Sequence, residues 1–155
     1  MEGTRQDPQP IVVGIDGSDA SRAALRWAAA EARLRGVPVR AVHAWWAIPW
    51  LSDDAAPPSR GSAAGDWEAT HDAEARTLIE AFIDATLGEA TGRDVEVAAV
   101  SMQGVAAAAA LLDASKDADL LVLGSRGRGG FAGLLLGSVS QQCVHHAHCP
   151  VVIVR

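Results

Sequence analysis

The sequence predicts an α/β fold, a parallel sheet covered by helices on both faces, and three observations predict it. Apolar strand-like runs alternate with Ala-rich segments of helical period along the chain; the first and fourth of these runs are continuously apolar; and glycine-containing turns follow both of them just before a helix starts. Strands joined in this way make right-handed crossovers, and their ligands sit beyond the carboxyl ends of the strands, where the strand order reverses.

Pro10 to Asp16, "PIVVGID", is a β-branched run that reads as a strand buried on both faces. Ser18 follows as an N-cap, and a helix runs from Asp19 to Arg35, with Ala20, Ala24, Trp27, Ala28, Glu31 and Leu34 at helical spacing and Gly36 as its C-cap. Trp27 is expected in the core. Val37 to Trp46 forms the second strand. The Pro-, Ser-, Gly- and Asp-rich stretch "AIPWLSDDAAPPSRGSAAGD" reads as a long loop, bordered by Trp45, Trp46 and Trp50, which either pack in the core or form a lid.

A second helix spans about Trp67 to Gly88, its apolar stripe made by Ala75, Leu78, Ile79, Phe82, Ile83 and Leu87. "DVEVAAVSM" alternates like a strand, "GVAAAAALLDASK" reads as a short helix, and "DADLLVLG" as a central strand. "GSVSQQCVHHAH" is a fourth helix and "CPVVIVR" a closing strand. There is no internal repeat. The 155 residues suit one domain over 10–155, behind a polar tail over 1–9 that is expected to be disordered.

Charge and composition exclude several partner classes. A net charge of −6 disfavours a nucleic-acid or anionic-membrane surface, and no apolar run approaches the ~18 residues of a membrane span. The opening "MEGTRQDPQP" has no apolar signal region, so a soluble cytoplasmic protein with Cys143 and Cys149 as free thiols is expected. Lys116 is the only lysine.

That scarcity decides how to read "LGSRGRGGFAGLLLGS", the glycine-rich loop between the fourth strand and the fourth helix. A Walker A loop requires a lysine at its end, and this loop has none. A dinucleotide fingerprint is matched by Gly127, Gly129 and Ala132, but it belongs on a first strand with an acidic residue ~20 positions on, and no Asp or Glu follows this loop. A third spacing fits: Gly124, two residues, Gly127, nine residues, then Gly137 and Ser138. Gly124 and Gly127 would leave room for phosphate or ribose against the backbone, and Gly137 and Ser138 stand where helix N–H groups lack intrahelical partners. Ser138 with Gln141 also spells a capping box, so its hydroxyl serves either the helix or a ligand. Arg126 and Arg128 either clamp phosphate oxygens or lie in solvent.

This G-x2-G-x9-G-[ST] pattern, with "VGIDGS" on the first strand and "CPVVIV" at the end, resembles the ATP-binding branch of the universal stress protein family over about Ile11 to Val154. The resemblance implies a Rossmann-like three-layer sandwich with four helices and a five-stranded parallel sheet of order 3-2-1-4-5, and a small ATP-binding protein of stress response or signalling. It implies that Asp16 contacts the nucleotide, that Ala44, after His43, offers its backbone to adenine, and that Gly124, Ser125, Gly127, Gly137 and Ser138 bind ribose and phosphates, the expected set extending to Val139. Gly14 and Ile15 would line the adenine pocket. Asp16 would act directly or through a phosphate-bound Mg²⁺, unless it only caps the first helix. The family's proline near the start of the third helix is replaced here by Ala106. Relatives pair the last strand with its copy, so "PVVIVR" is expected to form a homodimer edge.

Two rival functions are a slow ATPase and a nucleotide-free dimerisation module. Hydrolysis needs groups beyond Asp16 and the arginines, and the complete glycine and serine set argues against the second. "CVHHAHC" gathers Cys143, His145, His146, His148 and Cys149, but a segment so short cannot easily bring four ligands around one metal, and no metal is expected there.

Overall fold

The structure, a computed structural model, describes residues 9–45, 63–89, 93–103, 106–127 and 135–155. The elements run β1 (Ile11–Gly14), α1 (Asp19–Arg35), β2 (Val39–Trp45), α2 (Ala63–Leu87), β3 (Val97–Gln103), α3 (Ala107–Ala114), β4 (Leu120–Gly124), α4 (Ser138–His146) and β5 (Val151–Val154). All strand pairs are parallel and the sheet order is β3-β2-β1-β4-β5, as expected from the sequence. Expectations for the tail over 1–8, for Arg128, for Trp46 and Trp50 and for the side chain of Trp45 lie outside the described residues.

β1 is the centre of the sheet: Ile11 is in register with Val39 of β2 on one side and with Leu120 of β4 on the other. Its Ile11, Val12 and Val13 are fully buried, which is why the run is apolar without alternation. After β1 the chain builds outward through β2 and β3, then returns to add β4 and β5 on the opposite side. The order therefore reverses between β1 and β4.

Each face of the sheet carries its own core. On one, Ile11, Val13, Val39, Ala41, Leu120 and Val122 meet Ala24, Leu25, Ala28 and Ala32 of α1 and Ile79 and Ile83 of α2. On the other, Val12, Val42, Leu121 and Leu123 meet Ala108 and Leu111 of α3 and Cys143 of α4. Helix α1 starts and stops where its sequence signals place it. The Ser18 side chain accepts the Ser21 N–H, and Gly36 closes the helix at φ 69°, a left-handed conformation suited to glycine.

Two expected core positions are not core. Trp27 is 36% and Leu78 72% exposed, and Leu34 also faces solvent at 83%. The buried seam of α1 is Ser21, Ala24, Leu25, Ala28, Ala29 and Ala32, mostly small residues. A helix that lies this close to the sheet has no space beneath it for an indole, so Trp27 projects outward. Helix α2 begins at Ala63, four residues before the expected Trp67.

Leu25→Ala should therefore cost about 2–5 kcal/mol in urea unfolding, by transfer and cavity terms together, whereas Leu78→Ala should stay within about 0.5 kcal/mol of wild type. Equal losses at the two sites would contradict this division of core from surface.

Candidate functional site

A cleft of about 220 Å³ opens at the carboxyl ends of β1 and β4, at the point where strand order reverses. Since a water takes up ~30 Å³ in the liquid, the cleft can admit part of a small organic molecule. Four chain segments supply its walls: the turn from β1 into α1, the end of β2, the start of α3, and the end of β4 with the loop from it into α4.

The β1 end contributes Gly14, Ile15 and Asp16. Ile15 stays in line beyond the strand because its N–H donates to the Val42 carbonyl at 2.8 Å, and its own carbonyl lies 2.8 Å from His43 Nδ1. Asp16 is held by Ser18, whose N–H and hydroxyl both donate to Asp16 Oδ1, at 2.9 and 2.5 Å. The helix cap is Ser18 itself, bonded to the Ser21 N–H at 3.1 Å. The N-cap is thus Ser18 and not Asp16, and the alternative that Asp16 is the cap is set aside. Ala44, from the end of β2, lines the cleft next to Val42.

The loop after β4 contributes Gly124, Arg126 and Gly127 on its way out and Gly137, Ser138 and Val139 on its return. Its base is tied shut. The Gly137 N–H donates to the Ser125 carbonyl and the Ser125 N–H to the Val154 carbonyl, both at 2.8 Å, while Ser140 Oγ donates to the Gly124 carbonyl at 2.7 Å. Ser125 is buried and does not line the cleft; its backbone is the hinge between the loop and β5.

The glycines turn out to have separate reasons. A Cβ on Gly124 would stand 2.8 Å from the backbone of Ala20, so this glycine is set by the close approach of α1 rather than by space for a ligand. A Cβ on Gly14 would press on Leu123 and Leu111. One on Gly127 would collide with Asp16 Oδ2 at 2.5 Å. Of the four described glycines that line the cleft, Gly137 alone would take a Cβ at ordinary contact distance, 3.6 Å from the nearest atoms.

Helix α4 begins one residue earlier than a capping box would require. Gly137 is the N-cap, no side chain caps the helix, and Ser138 is the first helical residue, exposed beside the cleft. The capping reading for Ser138 is thereby corrected. The first N–H groups of α4 have no acceptor within the helix, so they and the helix dipole leave a partial positive charge at the cleft wall. Arg126, exposed at the rim, adds a full one. Asp16 stands opposite as a carboxylate.

Sequence reasoning missed Ser140, which pins the loop base, and Ser18 as the partner of Asp16. It also missed the apolar wall of Val42, Leu111 and Leu123. The strand pattern could have supplied part of the wall, since Val42 lies three residues and Leu123 one residue before the ends of their strands.

The second constellation does not converge. Cys143 is fully buried, and burial pushes its thiol up to about 11, whereas His145, His146 and His148 face solvent. Among the described residues no three His, Cys, Asp or Glu side chains gather around a common point suited to a metal ion. Among them, too, no helix is long and apolar enough to cross a membrane.

The sequence model of the universal stress protein family matches residues 8–155. A universal stress protein of Mycobacterium tuberculosis is 37% identical over 152 residues, which cover 94% of this chain and 47% of that protein. The chain thus spans about half the length of the curated relatives it matches. Among solved structures, a universal stress protein in complex with cAMP aligns with a TM-score of 0.62 at 26% identity, over 95% of this chain and 97% of that one. The universal stress protein from Archaeoglobus fulgidus in complex with dAMP aligns at 0.59 with 27% identity, over 95% of this chain and 98% of its own.

The different reasons for the glycines are separable in the absence of any ligand. Gly124→Ala should lower stability by about 1–3 kcal/mol through overpacking against Ala20, and Gly137→Ala by less than about 1 kcal/mol through the poorer N-cap. Urea unfolding in which Gly137→Ala loses more than Gly124→Ala would overturn this assignment.

Proposed function

The chain belongs to the universal stress protein family, and from that premise we propose that the cleft binds ATP, with nucleotide occupancy serving a stress-response or signalling role rather than rapid turnover. The observation that carries the proposal is the uncapped N-terminus of α4 opening into the same cleft as the end of β2 and the turn after β1. One side offers donors for an anion and the other an apolar slot. That is the division an adenine nucleotide requires.

Adenine would enter the slot between Ile15, Val42 and Ala44, where Ala44 can offer its backbone edge. Ribose and phosphates would run toward Gly127, Gly137, Ser138 and Val139, whose backbone N–H groups can approach an anion closely. Arg126 would add a charge-assisted bond from the rim. The relatives with cAMP and dAMP support an adenine nucleotide; the length of the glycine loop extends the reading to a triphosphate.

Magnesium fits the residues present. Asp16 has one oxygen held by Ser18 and the other directed at Gly127, and Mg²⁺ on a nucleotide commonly uses a single protein carboxylate with phosphates and waters. When bound, the ion would neutralise phosphate charge beside that carboxylate. No second acid or base among the described lining residues is placed to activate water, which favours a binding role over a catalytic one.

The proposal includes a homodimer and a cytoplasmic setting. Among the described residues β5 pairs with β4 alone and stands at the sheet edge as a half-buried apolar strand, which a second copy would cover. Two cysteines without a disulfide suit a reducing compartment.

Calorimetric titration with ATP and magnesium should show 1:1 binding that Gly137→Val weakens at least about tenfold with unchanged circular dichroism, because a branched side chain at this cleft-lining position would take up space proposed for the phosphates. Arg126→Ala should cost about 1.5–3 kcal/mol if its guanidinium bonds phosphate. A folded Gly137→Val that binds ATP like wild type would refute the phosphate assignment, and sustained phosphate release would convert the binding role into slow hydrolysis. Light scattering at micromolar concentration should report a dimer; a monomer would remove the β5 interface.

A further inference from the structure

We propose that His43 is a positioning residue for the base end of the cleft: by donating to the Ile15 carbonyl from behind the sheet, it keeps the Ala44 N–H out of the β1–β2 ladder and leaves it to a heterocyclic base. The inference rests on the ATP reading above and adds to it the side chain that makes the end of β2 available.

The ladder between β1 and β2 keeps one offset along its length. The Ile11 N–H donates to the Pro38 carbonyl at 3.0 Å, and the Ile15 N–H to the Val42 carbonyl at 2.8 Å. In a parallel pair the evenly spaced bonds alternate in direction, so a residue that donates to one position of its neighbour accepts from the position two residues further on. The next rung would be the Ala44 N–H on the Ile15 carbonyl. Among the described residues that bond is not made, and the Ile15 carbonyl lies 2.8 Å from His43 Nδ1 instead. A carbonyl only accepts, so Nδ1 is the ring nitrogen that carries the hydrogen.

His43 and Ala44 leave β2 on opposite faces of the sheet. Val39 and Ala41 belong to the core under α1 and α2, and Val42 to the core under α3 and α4. By the two-residue period of a strand, His43 shares the face of Ala41 and Ala44 that of Val42. His43 accordingly does not line the cleft, whereas Ala44 does. The imidazole therefore acts on a ligand in the cleft only through the backbone. The Ala44 N–H leaves β2 on the same edge as the Val42 carbonyl, toward β1, whose paired residues end at Gly14. Ala44 is half-buried at the rim, where its N–H can meet water, so its omission from the ladder carries little cost. Adenine offers an acceptor ring nitrogen beside an amino donor, a match for the N–H and C=O of one extended residue. Without His43 the Ile15 carbonyl would take the Ala44 N–H, and the strand edge would close by one more rung.

The test combines amide hydrogen exchange with dissociation constants for ATP with magnesium and for adenosine, on wild type, His43→Leu, His43→Asn and His43→Gln. An Asn amide nitrogen stands in the place of Nδ1 and a Gln amide nitrogen in the place of Nε2, so only Asn keeps the donor where Ile15 needs it. In wild type without nucleotide the Ala44 amide should exchange at least about tenfold faster than the Val42 amide, and adenosine should slow it. In His43→Leu the Ala44 amide should be protected without nucleotide, and ATP and adenosine should both bind about tenfold more weakly, by the same factor, because the loss is at the base. His43→Gln should behave like His43→Leu, and His43→Asn should stay within about threefold of wild type, a rescue that bulk alone would not produce. Should His43→Leu fail to fold, the comparison of Asn with Gln decides. If the wild-type Ala44 amide is as protected as that of Val42 without nucleotide, the ladder is not interrupted and the inference is overturned whatever ATP does. If wild type binds ATP but folded His43→Leu and His43→Gln bind adenosine like wild type, His43 positions nothing for the base and the inference fails while ATP binding stands. If wild type binds neither ATP nor adenosine, the ATP reading itself falls and the role of His43 with it.

Discussion

Everything at the cleft depends on how closely α1 lies against the end of β4. Ala20, in the first turn of the helix, meets Gly124 with no space for a Cβ between them, at the point where the sheet reverses its order. This contact fixes the turn carrying Asp16 beside the loop carrying Gly127. It also explains the small buried seam of α1 and the expulsion of Trp27 to the surface. Close-packed interiors transmit such a constraint, because a shift of one methyl group must be taken up somewhere.

From that contact the base of the loop inherits its geometry. Gly124 is the last strand residue, its carbonyl is taken by Ser140, and Ser125 carries bonds to both Gly137 and Val154. The outgoing and returning limbs of the loop are thereby clamped to each other and to the end of β5. Helix α4 is presented to the cleft with its first N–H groups uncapped by any side chain. A preformed donor array of this kind avoids the ordering cost that a flexible loop would add on binding.

The sheet was legible in the sequence because its strands obey simple physics. Ile11 to Val13 and Leu120 to Leu123 are buried on both faces, so they are apolar without interruption, and helices between them force a parallel order. The α1 boundaries were legible because Ser18 and Gly36 are local signals that tertiary contacts did not override. The arc of a helix that meets the sheet was less so: Leu78 sits one residue from the buried Ile79 and is likewise strongly apolar, yet it faces solvent. Period alone marks an apolar stripe and leaves its edges open. The same holds at the site. Spacing identified Gly124, Gly127 and Gly137 as a set, but the neighbours that make each necessary, Ala20 for the first and Asp16 for the second, come from distant parts of the chain. Ser138 followed by Gln141 matched a capping box, and a helix that starts from Gly137 defeated the match.

The most direct test of the account is an amide chemical-shift map of the protein titrated with ATP and magnesium. The account predicts the largest perturbations at Gly127, Ser138, Val139 and Ser140, with a second group at Ile15, Asp16 and Ala44, and little change at the α2 surface around Leu78. Saturable binding that leaves the α4 N-terminus and Gly127 unperturbed, with shifts elsewhere on the molecule, would contradict it.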